Sequence, residues 1–228
     1  MKIAILGTGM VGQTLAAALV AKGHEVMIGT RDVSVSMANT QPNAYGMPGF
    51  GIWHKDHPTV RVSAFSDAAA FGDLLINASG GAVSLDVLAQ AKAGSVGNKV
   101  LIDVANNLNL SKGMPPMSRS TDAAGAGLAE QIQAKFPNLR VVKTLNTMTA
   151  GVMVNPKLVA AGDSTVFMSG NDAQAKHTVQ GILQSFGWRD ILDLGDITSS
   201  RGAEMLMPIW LRAMGALGTG SFNFKIAR

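Results

Sequence analysis

Short runs of Ile, Val and Leu alternate along this chain with longer Ala-rich segments, the pattern left by repeated strand–helix units. The apolar runs predict strands at 2–6, 24–28, 59–64, 74–78, 99–104, 140–145, 165–169 and 190–194. Between them, helices are predicted at 10–22, 84–92, 126–136, 173–185 and 200–215, with Phe136-Pro137 giving one of them a clean stop. Several strands are unbroken apolar runs rather than alternating ones, as expected of parallel strands covered on both faces. Two stretches, 36–58 and 106–124, break the rhythm with Gly, Pro and aromatic residues and read as irregular loops. Loops of that length in a compact protein tend to be functional or disordered; the segment from Tyr45 to Trp53 reads as an ordinary irregular crossover, with a lid as the sharper alternative. The predicted architecture is α/β: a doubly wound parallel sheet over residues 1–150, with a small C-terminal α/β extension over 151–228.

Composition narrows the class. Of 228 residues, 47% are hydrophobic and only 15% charged, too apolar for disorder. No apolar run is long enough to span a bilayer, and the opening MKIAILG lacks the layout of a signal peptide. The absence of cysteine excludes disulfides, thiolate nucleophiles and cysteine-ligated metals, and fits a reducing cytoplasm. The net charge of +4 is mild and the 19 basic residues are scattered, which argues against nucleic acid but suits an anionic small molecule.

The first strand runs into Gly7-Thr8-Gly9-Met10-Val11-Gly12 and then into an Ala/Leu-rich helix. A GxGxxG is weak alone, but strand before and helix after is the context that a dinucleotide-binding turn requires. The first glycine permits the tight turn, the second lets backbone approach a pyrophosphate, and the third lets helix and strand pack closely. The helix N-terminus then presents N–H groups and a positive dipole end to the phosphates. This is the phosphate-binding fingerprint of a Rossmann NAD(P)-binding fold.

The end of the second strand selects the dinucleotide. NAD-binding proteins place an acid there to accept hydrogen bonds from the ribose hydroxyls. In GHEVMIGTRD that position falls on Thr30, whose hydroxyl can donate to a phosphate, and Arg31 follows with a guanidinium able to pair with it. Asp32 lies near the spacing of an NAD-type acid but past the strand end, where a helix N-cap or turn is its expected role. The residues therefore specify NADP(H).

The segment GTGMVGQTLAAALVAKGHEVMIGTRD resembles the opening of the F420-dependent NADP reductases and the NADPH-binding domain of the six-transmembrane metalloreductases. The likeness continues through LIDVANNLNL, RVVKTLNTMTAG, VFMSGNDAQAK and the C-terminal RGAEMLMPIWLRAMG. It implies NADP(H) bound across the strand ends, a homodimer, and hydride passing between nicotinamide and a flavin or deazaflavin acceptor as dissociable co-substrate. Such transfer needs aligned rings and no protein acid, base or nucleophile, so no catalytic residue is expected. By position, the resemblance implies that Thr8 to Val11 meet the pyrophosphate and that Thr30 and Arg31 meet the 2′-phosphate. It places Ser79, Gly80 and Asn106 beside the cofactor, and Asn146, Thr147 and Ala150 beside the nicotinamide. Phe222, in a C-terminus that approaches the acceptor in the family, is a candidate to stack near its ring. Archaeal members carry His at the position of Asn146 and Ile-Pro at those of Ser79 and Gly80. The metalloreductase domain carries Asn, as here, and the acceptor stays open between flavin and deazaflavin.

Other chemistries have little support. The single tyrosine has no lysine partner in a Tyr-x-x-x-Lys pair, which excludes the acid chemistry of short-chain dehydrogenases. His54-Lys55-Asp56-His57 reads as a solvated loop rather than a metal site. The apolar segment around Met205, Met207, Trp210 and Met214 reads as core or dimer interface, with part of it framing a flat ring as the sharper reading. A hydride transfer to a small-molecule acceptor is the expected function. An NADPH-binding sensor or partner subunit without turnover is the alternative.

Overall fold

The computed structural model describes residues 1–43, 46–92, 96–109, 111, 117–118 and 125–228. Tyr45 and most of the segment 110–124 lie outside them. An eight-stranded sheet organises the molecule. The strands are β1 (Lys2–Leu6), β2 (Glu25–Thr30), β3 (Arg61–Ala64), β4 (Leu74–Asn77), β5 (Val100–Asp103), β8 (Arg140–Thr144), β9 (Thr165–Gly170) and β10 (Asp190–Asp193). Their order is β10-β9-β8-β5-β4-β1-β2-β3, and a two-residue pair, β6 (Leu108–Asn109) with β7 (Met117–Ser118), stands apart.

Alternate residues of the central strands feed two cores. Ile3, Ile5, Leu74, Ile76, Val100 and Ile102 face α1 (Met10–Ala21) and α8 (Ala173–Phe186). Ala4, Leu6, Leu75, Leu101 and Val141 face α4 (Phe65–Phe71), α5 (Ser84–Gln90) and α6 (Leu128–Lys135). With both faces covered, neither set can be polar, which is why the strands read as unbroken apolar runs.

Three expectations change. The sheet is not parallel throughout: β9 pairs antiparallel with β8, and β10 runs parallel to β9. Between β8 and β9 lie only the five-residue α7 (Ala150–Val154) and two 3-10 turns. No helix crosses the sheet there, so the chain re-enters from the end it left. The stretch 36–58 is not wholly irregular either. It holds the end of α2 (Val33–Ala38) and all of α3 (Phe50–Asp56), helices of six and seven residues, too short for a 3.6-residue period to register. The helix expected at 200–215 is two, α9 (Ser200–Met205) and α10 (Met207–Leu217), meeting at Leu206. Pro208 supplies no N–H and its ring crowds the carbonyl four residues back, which breaks the ladder.

Candidate cofactor and acceptor site

Strands β1, β2, β4, β5 and β8 are parallel and end on one side, where the chain's polar residues gather. The glycine turn leaves β1 with Gly7 at φ +129°, a conformation L side chains rarely adopt, and a Cβ there would lie 2.7 Å from the Ala78 carbonyl oxygen. At Gly12 a Cβ would lie 2.1 Å from the Gly7 carbonyl oxygen, so α1 can sit this close to the turn only without a side chain. Gly9 differs: a Cβ there would meet nothing within 4 Å. Its lack of a side chain serves no contact inside the protein and leaves an open cradle over the start of α1. No side chain caps that helix and its first turn holds no acid. The first N–H groups of a helix have no intrahelical acceptor, so those of Met10, Val11 and Gly12 face this opening with the positive dipole end. Gln13 fixes the turn from behind, its Nε2 donating to the Thr8 carbonyl at 2.9 Å.

At the end of β2, Thr30 is buried and its hydroxyl lies 2.6 Å from that of Ser36, on α2. Asp32 is the N-cap of α2, as expected: its carboxylate accepts from the Val35 N–H at 3.0 Å and from the Ser34 hydroxyl at 2.6 Å. Those bonds hold the carboxyl below the ordinary aspartate pKa, the Ser34 hydroxyl contributing most. The acid nearest the ribose position is thus committed to its own helix. Arg31 is exposed and makes no hydrogen bond or ion pair among the described residues. An anion-binding set fits here: open N–H groups, a buried hydroxyl and an uncommitted guanidinium.

The last residues of β4 and β5 and the penultimate residue of β8 form a polar row across the sheet, Asn77 in register with Asp103 and Asp103 with Lys143. Lys143 Nζ donates to Asp103 at 2.8 Å, to the Ala105 carbonyl at 2.5 Å and to Glu204 at 3.1 Å, using all three of its protons. Burial opposes its charge, but the carboxylates of Asp103 and Glu204 outweigh that and hold the ammonium above the ordinary lysine value. Asn77 donates to Asp103 at 2.8 Å and to Ser84 at 2.9 Å, and accepts from the Ser79 hydroxyl at 2.6 Å. Glu204 also accepts from the Leu128 and Ala129 N–H groups at 2.8 and 3.1 Å, capping α6. This row fixes the loops that carry Ser79 and Asn106 past the strand ends.

A cavity of about 600 Å³ opens above those loops, between the start of α1, the ends of β4 and β5, α7 and α10. Met10, Val11, Ser79, Asn106 and Ala150, five of the expected cofactor contacts, line it. Among the described residues six methionines line it too (Met10, Met47, Met148, Met153, Met207 and Met214), together with Trp210. Gly80 lies at the edge, where a Cβ would touch only Val83 at 4.0 Å. Asn146 and Thr147 do not reach the cavity. Both are buried, and Asn146 is spent on structure: its amide donates to Asn106 Oδ1 at 3.1 Å and to the Ala203 carbonyl at 3.1 Å, while Asn106 donates to its backbone carbonyl at 2.6 Å. Leu145, at φ +61°, turns the chain into this position. Asn146 therefore positions Asn106, which does line the cavity. Phe222 is likewise one layer back, stacked on Trp210 at 5.2 Å between centroids and 21° between planes.

His54 and His57 are not in a solvated loop. They belong to α3 and its C-cap, each with a ring nitrogen 2.8 Å from a backbone carbonyl (Val60 and Trp53), and His57 stacks on Trp53 at 4.4 Å. Among the described residues no helix is long and apolar enough to cross a membrane.

A glycine turn, a helix N-terminus aimed at open space and an apolar cavity beside it, all at the carboxyl ends of parallel strands, define a dinucleotide-binding oxidoreductase fold. Comparison with known proteins makes this specific. Residues 2–107 match the family model described as NADP oxidoreductase, coenzyme F420-dependent. A candidate F420-dependent NADP reductase from Arthrobacter sp. FB24 is 52% identical, each chain covering 100% of the other, with a TM-score of 0.94. The chain belongs to the coenzyme F420-dependent NADP oxidoreductase family. It is also 27% identical over 222 residues to the metalloreductase STEAP3 of Rattus norvegicus, matching 92% of this chain but spanning only 38% of that protein's length. A reductive aminase from Aspergillus terreus, in complex with NADPH4, shares the fold at 18% identity and a TM-score of 0.61 over 95% of this chain and 62% of its own.

Proposed function

We propose that the protein transfers hydride between NADP(H) and a flavin or deazaflavin ring held in the methionine-lined cavity, residues 1–150 carrying the dinucleotide and 151–228 closing the acceptor side. The observation that carries the reading is the continuity of the two half-sites: Met10 and Val11 belong both to the open cradle above Gly9 and to the cavity wall. In this reading the N–H groups at the start of α1 bind the pyrophosphate, and Thr30 and Arg31 bind the 2′-phosphate. Ser79, Asn106 and Ala150 face the nicotinamide. When bound, NADPH supplies a hydride from C4 of its nicotinamide to the acceptor ring, and the reduced ring takes one proton from water. The chain's own work is alignment and exclusion of water, since no charged side chain lines the cavity among the described residues. Asn77, Asp103 and Lys143 serve as positioning residues for the loops above them. A cytoplasmic homodimer is the assembly this reading carries.

The test is NADPH oxidation by the purified protein with riboflavin, FMN, FAD and a deazaflavin in turn. Turnover with at least one is expected. Tight NADPH binding with no turnover on any of the four would sink the acceptor assignment.

A further inference from the structure

The wall that α10 gives to the cavity belongs to neither of the two main cores. Met207, Trp210 and Leu211 form a separate apolar cluster, packed against Leu108 and the tail residues Phe222 and Phe224. Ile209 and Leu217, on the same helix, are exposed, so among the described residues no layer backs this wall from outside. Its seat lies just before the break at Leu206, at Glu204 of α9.

Three donors from two elements converge on the Glu204 carboxylate. Oε1 accepts from Lys143 Nζ at 3.1 Å and from the Ala129 N–H at 3.1 Å, and Oε2 accepts from the Leu128 N–H at 2.8 Å. Gly127 leaves room for it, since a Cβ there would lie 2.7 Å from Oε2. Every one of these partners donates, so the site fits a group that only accepts. A glutamine of the same length would turn an NH2 toward one of them. Ala203 adds a further tie, its carbonyl accepting from the Asn146 amide at 3.1 Å. The same two residues hold the opposite side of the cavity: Lys143 donates to the Ala105 carbonyl at 2.5 Å and Asn146 to Asn106 at 3.1 Å. Ala105 and Asn106 both line the cavity. Wall and floor are thus seated on one buried lysine and one buried asparagine.

We propose that Glu204 is a positioning residue for hydride transfer: through Lys143 it fixes the α10 wall against the floor at Ala105 and Asn106, and with it the stacking of the acceptor ring on the nicotinamide. This rests on the acceptor reading above. The reference variant is Arg201→Ala. Arg201 also ties α9 to α6, through Glu130 at 2.6 Å, but this exposed arginine does not reach the sheet. In Glu204→Gln, kcat/KM for riboflavin should fall about a hundredfold, the scale of a misplacement of about 1 Å, with NADPH affinity within about twofold. Backbone amides of 207–217 should exchange hydrogen about tenfold faster while those of α1 are unchanged. Glu204→Asp keeps two accepting oxygens one methylene short and should recover part of both losses. Arg201→Ala should stay within about twofold of wild type in both readouts. Undiminished kcat/KM with unchanged exchange in Glu204→Gln would overturn the assignment. So would an equal loss of NADPH affinity, or an equal loss in Arg201→Ala, either of which would make Glu204 a support of the fold at large. If Glu204→Gln does not fold, Glu204→Asp is read by the same criteria. If the wild-type protein turns over no flavin, the acceptor reading fails by itself, and the exchange of 207–217 alone decides whether Glu204 seats the wall.

Discussion

The two halves of the candidate site are built from different material. The half over β1 and β2 is made of backbone: glycines that leave room, N–H groups at the start of α1, and two neighbouring side chains, Thr30 and Arg31, within 25 residues of the turn. The other half is made of side chains gathered from far apart: Asn106 held by Asn146, Ser79 held by Asn77, and Trp210 held by Phe222. Beneath it Lys143 ties β5 to β8 and to Glu204, on α9. A backbone-built site tolerates any side chain that stays out of the way. A side-chain-built site fails when one member is lost, because the rest are left buried and unpaired.

That contrast is broken most directly at Lys143. Lys143→Met removes the cation between two carboxylates and leaves Asp103, fully buried, uncompensated. Breaking a buried ion pair from one side costs about 3–5 kcal/mol, so a large drop in the urea midpoint is expected. A loss under about 1 kcal/mol would show that the row bears little of the fold's stability. The pH dependence has a definite sign. The folded pKa of Lys143 lies above the ordinary value of 10.5, so its contribution is complete below that value and wanes only as pH rises through the raised one. Between pH 7 and 9 the wild-type minus Lys143→Met difference should be flat.

On the backbone side, Gly12→Ala should cost about 3 kcal/mol, the upper end for overpacking, because its Cβ would meet a backbone oxygen that cannot swing away. Gly9→Ala gives the opposite result. With nothing within 4 Å of the new Cβ, stability should change by under about 0.5 kcal/mol, while NADPH affinity falls because the methyl fills the pyrophosphate cradle. Thermal midpoints and NADPH titrations on the two variants separate the packing glycine from the binding glycine.

The same contrast decides what could be read from the sequence. Gly7, Gly9 and Gly12 are adjacent and of one type, and strand and helix flank them as periodic runs, so turn and context were both visible. Asp32 as a cap was legible for the same local reason. The side-chain half left only a faint trace: LLIN, VLID and RVVKT each carry a polar residue where a buried strand ends. A polar residue at the end of an apolar run signals an exposed loop or a buried network equally well, and only the register of β4, β5 and β8 tells them apart. The reversal of β9 was hidden because pattern reports burial, not direction. Asn146 and Phe222 stand one layer behind the cavity wall, a placement that resemblance leaves open because it gives neighbourhood but not which way a side chain faces.

Arg31→Ala tests whether the exposed guanidinium belongs to the backbone-built half. It should weaken NADPH by about 1.5–3 kcal/mol, the scale for a hydrogen bond to a charged group, and leave NADH almost unchanged. Equal loss for both dinucleotides would remove the 2′-phosphate from Thr30 and Arg31.

A smaller effect than that at Arg31 lies where the tail closes the cavity. A Cβ at Gly220 would sit 2.6 Å from Thr149 Cγ2 and within 4 Å of Trp210. Thr149 Oγ1 is 3.5 Å from the Gly220 carbonyl, too long to hold the threonine firmly, so its methyl can move aside. Gly220→Ala should therefore cost only about 1 kcal/mol in stability. Its effect on function should fall on the acceptor alone, because Thr149 and Trp210 line the cavity from the side of α7 and α10. A raised KM for the flavin with unchanged NADPH affinity is the expected readout. A matching loss of NADPH affinity would mean that the halves are coupled through the cavity wall that Met10 and Val11 share, and the division into two materials would then describe construction but not energetics.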